Sequence, residues 1–295
     1  MTNINSLLEK YGIIDLQRKD AKEELERYER GIDKIKKEIS STLPTTDFVF
    51  PYTADPTGQI FLPGEDKVPD LKVDMWRLKK RDQIVEIAKF MGADISNTGE
   101  SIDNTHRYIG NITRRFALEL ILRTGGIVLP AKEHFRFRKL LQKGIEEKTI
   151  LDGNKQPINS KLINLIYRDL TEACSHWRGE WVDDTFKQRE EILYLEKNHK
   201  LSDKGELVPK YSEPIEECLT EHGLANLSSI NSQGFPTRRS EEQNYNQREN
   251  IYFWPPIEGR VTWFYADSVS SNFGCYWGVG SSDSSLGVRR AEIVS

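Results

Sequence analysis

The chain has 295 residues, with 46 Asp and Glu against 42 Lys and Arg, a net charge of −4 at neutral pH and a hydrophobic fraction of 37%. Mean hydropathy is −0.61, and 29 aromatic residues are too many for a chain that never packs. The absence of an apolar run of ~18 residues predicts no membrane insertion, the opening MTNINSLLEKYG has neither the basic nor the apolar region of a secretory signal, and the acidic balance predicts no nucleic-acid partner.

The length suggests about two domains. Charge is unevenly spread: the last lysine is Lys210, and residues 211–295 carry six Arg against nine Glu and two Asp, a net of −5, while residues 1–210 sum to +1. This break hints at a boundary near residue 210.

Residues 4–39 carry a heptad seam. Ile4, Leu7, Tyr11, Ile14, Arg18, Ala21, Leu25, Tyr28, Ile32, Ile35 and Ile39 alternate by three and four, and only Arg18 is charged. A helix there would be ~50 Å long. Pairs across a parallel homomeric seam are mixed, since Lys10 with Asp15 attracts and Glu24 with Glu29 repels. The seam therefore predicts packing on something, either a partner helix or the chain's own domain.

Pro44, Pro51, Pro56, Pro63 and Pro69 then forbid a long helix. Residues 43–71 read as a connecting arm with short extended pieces such as DFVF and QIFL. Residues 72–174 read as helical: Trp76 to Met91 stopping at Gly92, Asn104 to Arg123 stopping at Gly125-Gly126, Phe135 to Glu147, and Ser160 to Cys174 with Ser160 as N-cap. Arg114, Arg115, Arg123, Arg136, Arg138 and Lys139 cluster here, but acidic residues interleave, so a solvated helix face is expected. From SHWRGEWVDDTF onward the chain turns extended. ILYLEKNHKLSDKGELVPKY gives two strands about the turn Ser202-Asp203-Lys204-Gly205, and closely spaced Gly and Pro residues predict strands and loops to the end.

Common catalytic and metal signatures are missing from the sequence. Cys174, Cys218 and Cys275 are far apart and odd in number, which indicates neither a disulfide framework nor a zinc ribbon. Cys174 and His176 place a thiol and an imidazole two residues apart, with Asp183 and Asp184 nearby. Two ligands do not hold zinc, and the paired carboxylates Asp183 and Asp184 sit in a charged context that predicts surface positions. No catalytic residue, metal or cofactor is expected.

The unusual stretch is 252–285. Nine of the 26 residues 252–277 are aromatic, about a third against 10% for the chain. Between and after them lie Ser268, Ser270, Ser271, Asn272, Ser281, Ser282, Asp283, Ser284 and Ser285. Rigid rings with adaptable small polar residues are the vocabulary of a binding surface. The competing expectation is a set of strands with buried aromatics.

The ending Asp283-Ser-Ser-Leu-Gly-Val-Arg-Arg-Ala-Glu-Ile293 resembles the closing strand of C-type-lectin-like domains of the formylglycine-generating-enzyme type, whose last strand commonly reads G-F-R. Here it is Gly287, Val288, Arg289. Gly259-Arg-Val-Thr-Trp263 stands where that family often has R-V-x-R-G-G-S-W, without the R-G-G-S part. The arrangement resembles the variable proteins of diversity-generating retroelements, many of them phage-encoded, whose ligand face is randomised at template adenines. From Thr262 to Leu286 neither Lys nor Glu occurs, as the resemblance implies for randomised asparagine codons.

The resulting expectation is an α+β protein with four parts. Residues 1–42 form an amphipathic, coiled-coil helix, 43–71 a proline-rich arm, 72–174 a helical domain, and 175–295 a small β-rich, C-type-lectin-like ligand-binding domain. The variable face would comprise Tyr265, Asp267, Val269, Asn272, Phe273, Cys275, Tyr276, Trp277, Ser281 and Asp283. Expected partners are a host-surface protein or glycan, with a homo-oligomer or virion contact through the 4–39 seam. The expected location is a virion tail or the cytoplasm of the producing cell. The alternative expectation is a structural virion or scaffold protein whose C-terminal aromatics form a subunit interface.

Overall fold

A computed structural model describes residues 49–294, apart from Pro51, Asp66, Lys67 and Lys148; the heptad seam of 4–39 lies outside the described residues. From Val49 onward the chain forms one compact α+β unit.

The Asp55 carboxylate caps a short 3-10 turn, Pro56–Gly58, by accepting from Thr57 N. Strand β1 (Gln59–Leu62), the QIFL stretch, follows and pairs antiparallel with β2 (Leu71–Asp74). Helix α1 (Asp82–Phe90) begins later than its apolar pattern suggests: Trp76 and Leu78 precede it in non-helical chain, while Gly92, at φ 73°, stops it as expected. Where a helix from Asn104 was expected, β3 (Asn97–Glu100) and β4 (Arg107–Ile109) form an antiparallel ribbon. Local turn chemistry accounts for the difference: the Asp103 carboxylate accepts from Ser101 Oγ and Thr105 N, and Asn104 takes φ 56°. Helix α2 (Arg114–Leu122) starts after Thr113, whose hydroxyl accepts from Phe116 N.

Helix α3 (Ala131–Glu147) buries Phe137, Leu141 and Gly144 on one face. Helix α4 (Ser160–Thr171) buries Ile163, Ile166, Tyr167 and Leu170, the i, i+3, i+4, i+7 stripe of an amphipathic helix. Its cap is Asn159, which accepts from Lys161 N, one residue before the expected Ser160.

Strands β5 (Arg178–Arg189), β6 (Ile192–Leu201), β7 (Leu207–Pro214), β8 (Gly223–Asn226), β9 (Asn250–Trp254), β10 (Arg260–Ala266), β11 (Ser271–Gly278) and β12 (Leu286–Val288) build an eight-stranded sheet. Its order is β7-β6-β5-β10-β11-β9-β8, with β12 beside the first half of β5. The β11–β9 and β12–β5 pairs are parallel and the rest antiparallel. The β6–β7 turn uses Gly205 at φ 72°, as the Ser-Asp-Lys-Gly signal predicts.

Strand β13 (Ala291–Ile293) leaves this sheet and pairs with β2, so the last strand closes on one of the first. The boundaries drawn at 71/72 and 174/175 therefore do not separate independent units. The charge break at 210 falls inside β7 and marks no boundary.

Three apolar clusters share the interior. One joins α1 and α2 to Trp181, Trp263 and Tyr265. A second fills the space between the β1–β2–β13 sheet and α3 and α4. The third lies on the opposite face of the large sheet, with Phe264, Phe273 and Cys275. The arginines expected on a solvated helix face are largely interior. Arg114, Arg123 and Arg138 are buried, and they bond Asp183, Glu119 and the Gln247 carbonyl. The sequence pattern misleads for Arg114 and Arg138 because their partners sit on distant parts of the chain, where linear charge counting cannot pair them.

Candidate functional site

Strand register sorts the C-terminal aromatics. In β10 and β11, Tyr265 pairs with Asn272, Phe264 with Phe273, and Trp263 with Gly274. The parallel register with β9 sets Asn272 beside Tyr252 and Gly274 beside Trp254. Because side chains alternate along a strand, Trp263, Tyr265, Asn272, Tyr252 and Trp254 share one face. Phe264, Phe273 and Phe253 share the other.

On the second face the rings are core. Phe264 stacks on Phe273 at 4.5 Å, and Phe135 meets both edge-on. Phe273 and Cys275 have no exposed surface. Burial pushes the Cys275 thiol well above its ordinary pKa, with a further push from Asp184. Phe273 and Cys275, expected on a variable face, are therefore packing residues: their strand parity points them at α3. Tyr265 and Asn272 lie on the first face but are also buried. The Asn272 amide is consumed by Asp267 Oδ2, Ser270 O and Ser270 Oγ. The Tyr265 phenol is raised by burial and by the adjacent Tyr276 phenol.

The rest of the expected face reaches solvent. Tyr276, Trp277, Asp267, Ser281 and Asp283 are half-buried, and Val269 is 74% exposed at the β10–β11 turn. Tyr252 and Trp254 join them as half-buried rings, with His222 stacked on Trp254 at 5.0 Å. Five of the nine rings in 252–277 are thus interior, and four keep part of their surface in water. The rings form one connected system. Trp177 stacks on Tyr265 at 5.4 Å, Tyr265 on Trp263 at 3.9 Å, and Trp263 on Trp277 at 4.2 Å. Trp254 touches Tyr276 at 4.9 Å. Gly274 makes the central stack possible, because a Cβ there would collide with the Trp263 indole.

Trp177, 47% exposed, lies at the solvent end of this stack and lines a groove of about 350 Å³. The other walls are His176, Thr98–Glu100 of β3 and Asp283–Ser285. Both sides are fixed. Thr98 Oγ1 donates to Ser284 O at 2.8 Å, Tyr108 Oη to Ser285 O at 2.7 Å, and Asn111 N to Asp283 O at 2.8 Å. Asp283 Oδ1 accepts from Ser285 N at 2.8 Å and from Ser285 Oγ.

Beneath these surfaces lies a buried ionic network. Glu180 accepts from Arg289 Nε at 3.1 Å and contacts His134 Nε2. Arg77 bonds Asp169 at 2.6 Å and approaches Glu180 at 3.4 Å. Burial alone would raise the Glu180 carboxyl, but Arg289, His134 and Arg77 hold it well below the usual carboxylate range. Arg289, placed by sequence on the closing strand, is thus an anchor in the interior. It also donates to the carbonyls of Asp74 and Met75.

Cys174 Sγ and His176 Nδ1 are 3.5 Å apart, and Arg178 Nη1 contacts the sulfur. Asp183 and Asp184 are fully interior, not surface residues. Asp183 pairs with Arg114 and with His199 Nδ1 at 2.5 Å. Asp184 Oδ2 accepts from Ala131 N at 2.7 Å, and among the described residues its Oδ1 has no partner.

Sequence reasoning missed the β3 wall and the part played by Trp177. A tryptophan just ahead of a strand in HWRGEW was a usable signal. Nothing local marks Thr98–Glu100, which reach the groove only through the long-range pairing of the ribbon with 283–285. Comparison with protein-family models, curated proteins and solved structures finds no match for this chain.

Proposed function

We propose that the chain is a ligand- or receptor-binding protein that works by equilibrium binding, not catalysis. Its recognition surface is built from Trp177, Tyr252, Trp254, Tyr276 and Trp277, rimmed by Asp267, Val269, Ser281 and Asp283. The observation that carries this reading is the ring stack from exposed Trp177 to half-buried Trp277, which holds solvent-facing rings on a rigid interior. Anchors immobilised before binding lose little entropy when a ligand arrives, and a few such aromatics dominate affinity.

On this reading the protein is a phage-type variable protein of a diversity-generating retroelement, virion-associated, with a C-type-lectin-like C-terminal part. The closing Gly287-Val288-Arg289 and the Lys- and Glu-free stretch 262–286 support it. Diversification is then confined to positions with room to vary, such as Tyr276, Trp277, Val269, Ser281 and Asp283. Changes at Phe273 or Cys275 would alter core volume at a cost of ~1–5 kcal/mol.

The test compares wild type with Tyr276→Ala and Trp254→Ala for capture by host cells and for oligomeric state by light scattering. Loss of capture by about thirtyfold with unchanged mass, as expected for anchors worth ~2 kcal/mol, supports recognition. Loss of assembly instead would move the aromatics into a subunit interface. For diversification, the check is a near-copy of the 3′ end of the reading frame, differing mainly at adenines, beside a reverse transcriptase.

A further inference from the structure

We infer that the groove beside Trp177 takes a cationic side chain, a lysine or arginine of a protein partner. This rests on reading the surrounding face as a recognition surface and narrows its ligand to a protein bearing an exposed basic residue. The groove walls carry two carboxylates, Glu100 and Asp283, one imidazole, His176, and neither lysine nor arginine. Glu100 is engaged by Arg107 across the ribbon at 2.5 Å. Among the described residues Asp283 meets no cation: both hydrogen bonds it accepts through its side chain end on Oδ1 and come from Ser285, which leaves Oδ2 available. The groove therefore holds one carboxylate without an ion-pair partner beside an indole.

An indole is the strongest of the aromatic partners for a cation. Trp177 is 47% exposed and is held in place by its stack on Tyr265. A volume of about 350 Å³ accepts one arginine or lysine side chain. The walls are pre-ordered by the Thr98, Tyr108 and Asn111 bonds to 283–285, and Gly110 permits that approach, since a Cβ there would collide with Ser284 O. A neutral sugar would leave the Asp283 charge unanswered.

The experiment is isothermal titration of the full chain with acetyl-Gly-Gly-Arg-Gly-Gly-amide, with the same peptide carrying citrulline, and with maltotriose. Saturable binding of the arginine peptide is expected, at least tenfold tighter than the citrulline peptide and weakened by added salt. Trp177→Ala and Asp283→Asn should each weaken it by about fivefold, in line with a surface cation–π contact and one charge pair, and Trp177→Phe should restore part of the loss. Circular dichroism confirms that the variants are folded. Equal binding of the two peptides, preferential binding of maltotriose, or full affinity in both Trp177→Ala and Asp283→Asn would overturn the inference. If the arginine peptide fails while Tyr276→Ala still abolishes host-cell capture, only the cation assignment falls. If capture survives Tyr276→Ala and Trp254→Ala, the broader recognition reading falls instead.

Discussion

Asp184 is fully buried under α3 and, among the described residues, forms no ion pair and leaves its Oδ1 unpartnered. Burial, reinforced by the neighbouring Asp183 charge, raises its pKa from 3.8 to about 7. The folded state therefore binds this proton more tightly than the unfolded chain does. Between pH ~4 and ~7 the folded state holds more protons, so stability falls as pH rises through that window. The contribution is complete below the unfolded pKa and is lost once pH passes the folded one. A rise from 3.8 to about 7 corresponds to at most ~4 kcal/mol at ~1.4 kcal/mol per pKa unit.

Asp184→Asn removes the charge and keeps an oxygen to accept from Ala131 N. Urea unfolding of wild type and variant at intervals from pH 5 to pH 8.5 isolates the effect, because every other titrating group is common to both. At pH 5, about one unit above the unfolded pKa, the variant should already lead by ~1.6 kcal/mol. By pH 8.5 the variant should be more stable by ~2–4 kcal/mol. Parallel profiles across the range would refute the reasoning, because the carboxyl would then ionise in the fold at no cost.

Gly274→Ala forces a methyl into the Trp263 indole, which already stacks between Tyr265 and Trp277. It should destabilise by ~1–3 kcal/mol and alter tryptophan emission, and an unchanged spectrum with wild-type stability would mean the stack is looser than described. Glu180→Gln strips the charge that answers Arg289 and Arg77 in the interior. A loss of ~3–5 kcal/mol is expected in chemical denaturation, whereas a loss under ~1 kcal/mol would show that other groups neutralise the arginines.

Local chemistry made part of the molecule legible from sequence. The β6–β7 hairpin follows from Ser202-Asp203-Lys204-Gly205, where only a residue tolerant of positive φ completes the turn. The stripes of α3 and α4 follow from apolar spacing, and the strands and loops beyond residue 174 follow from closely spaced glycine and proline. The exceptional density of rings in 252–277 was equally plain. Their division between core and surface was not, because strand parity cannot be assigned until register is known. A shift of one residue would exchange Phe273 with Asn272, and the register is set by β5 and β9, which pair with β10 and β11 from distant parts of the sequence.

Sequence alone thus determined local elements: the β6–β7 turn, amphipathic stripes and an aromatic, lysine-free C-terminal stretch. Each depends on interactions within a few residues. Tertiary structure alone decided that Arg289 and Asp184 are interior, that β13 closes on β2, and that Trp177 faces β3 across a groove. Those outcomes depend on pairings between residues as far apart as Arg289 and Asp74, 215 positions away in sequence, and their energies exist only once the chain has brought the partners together.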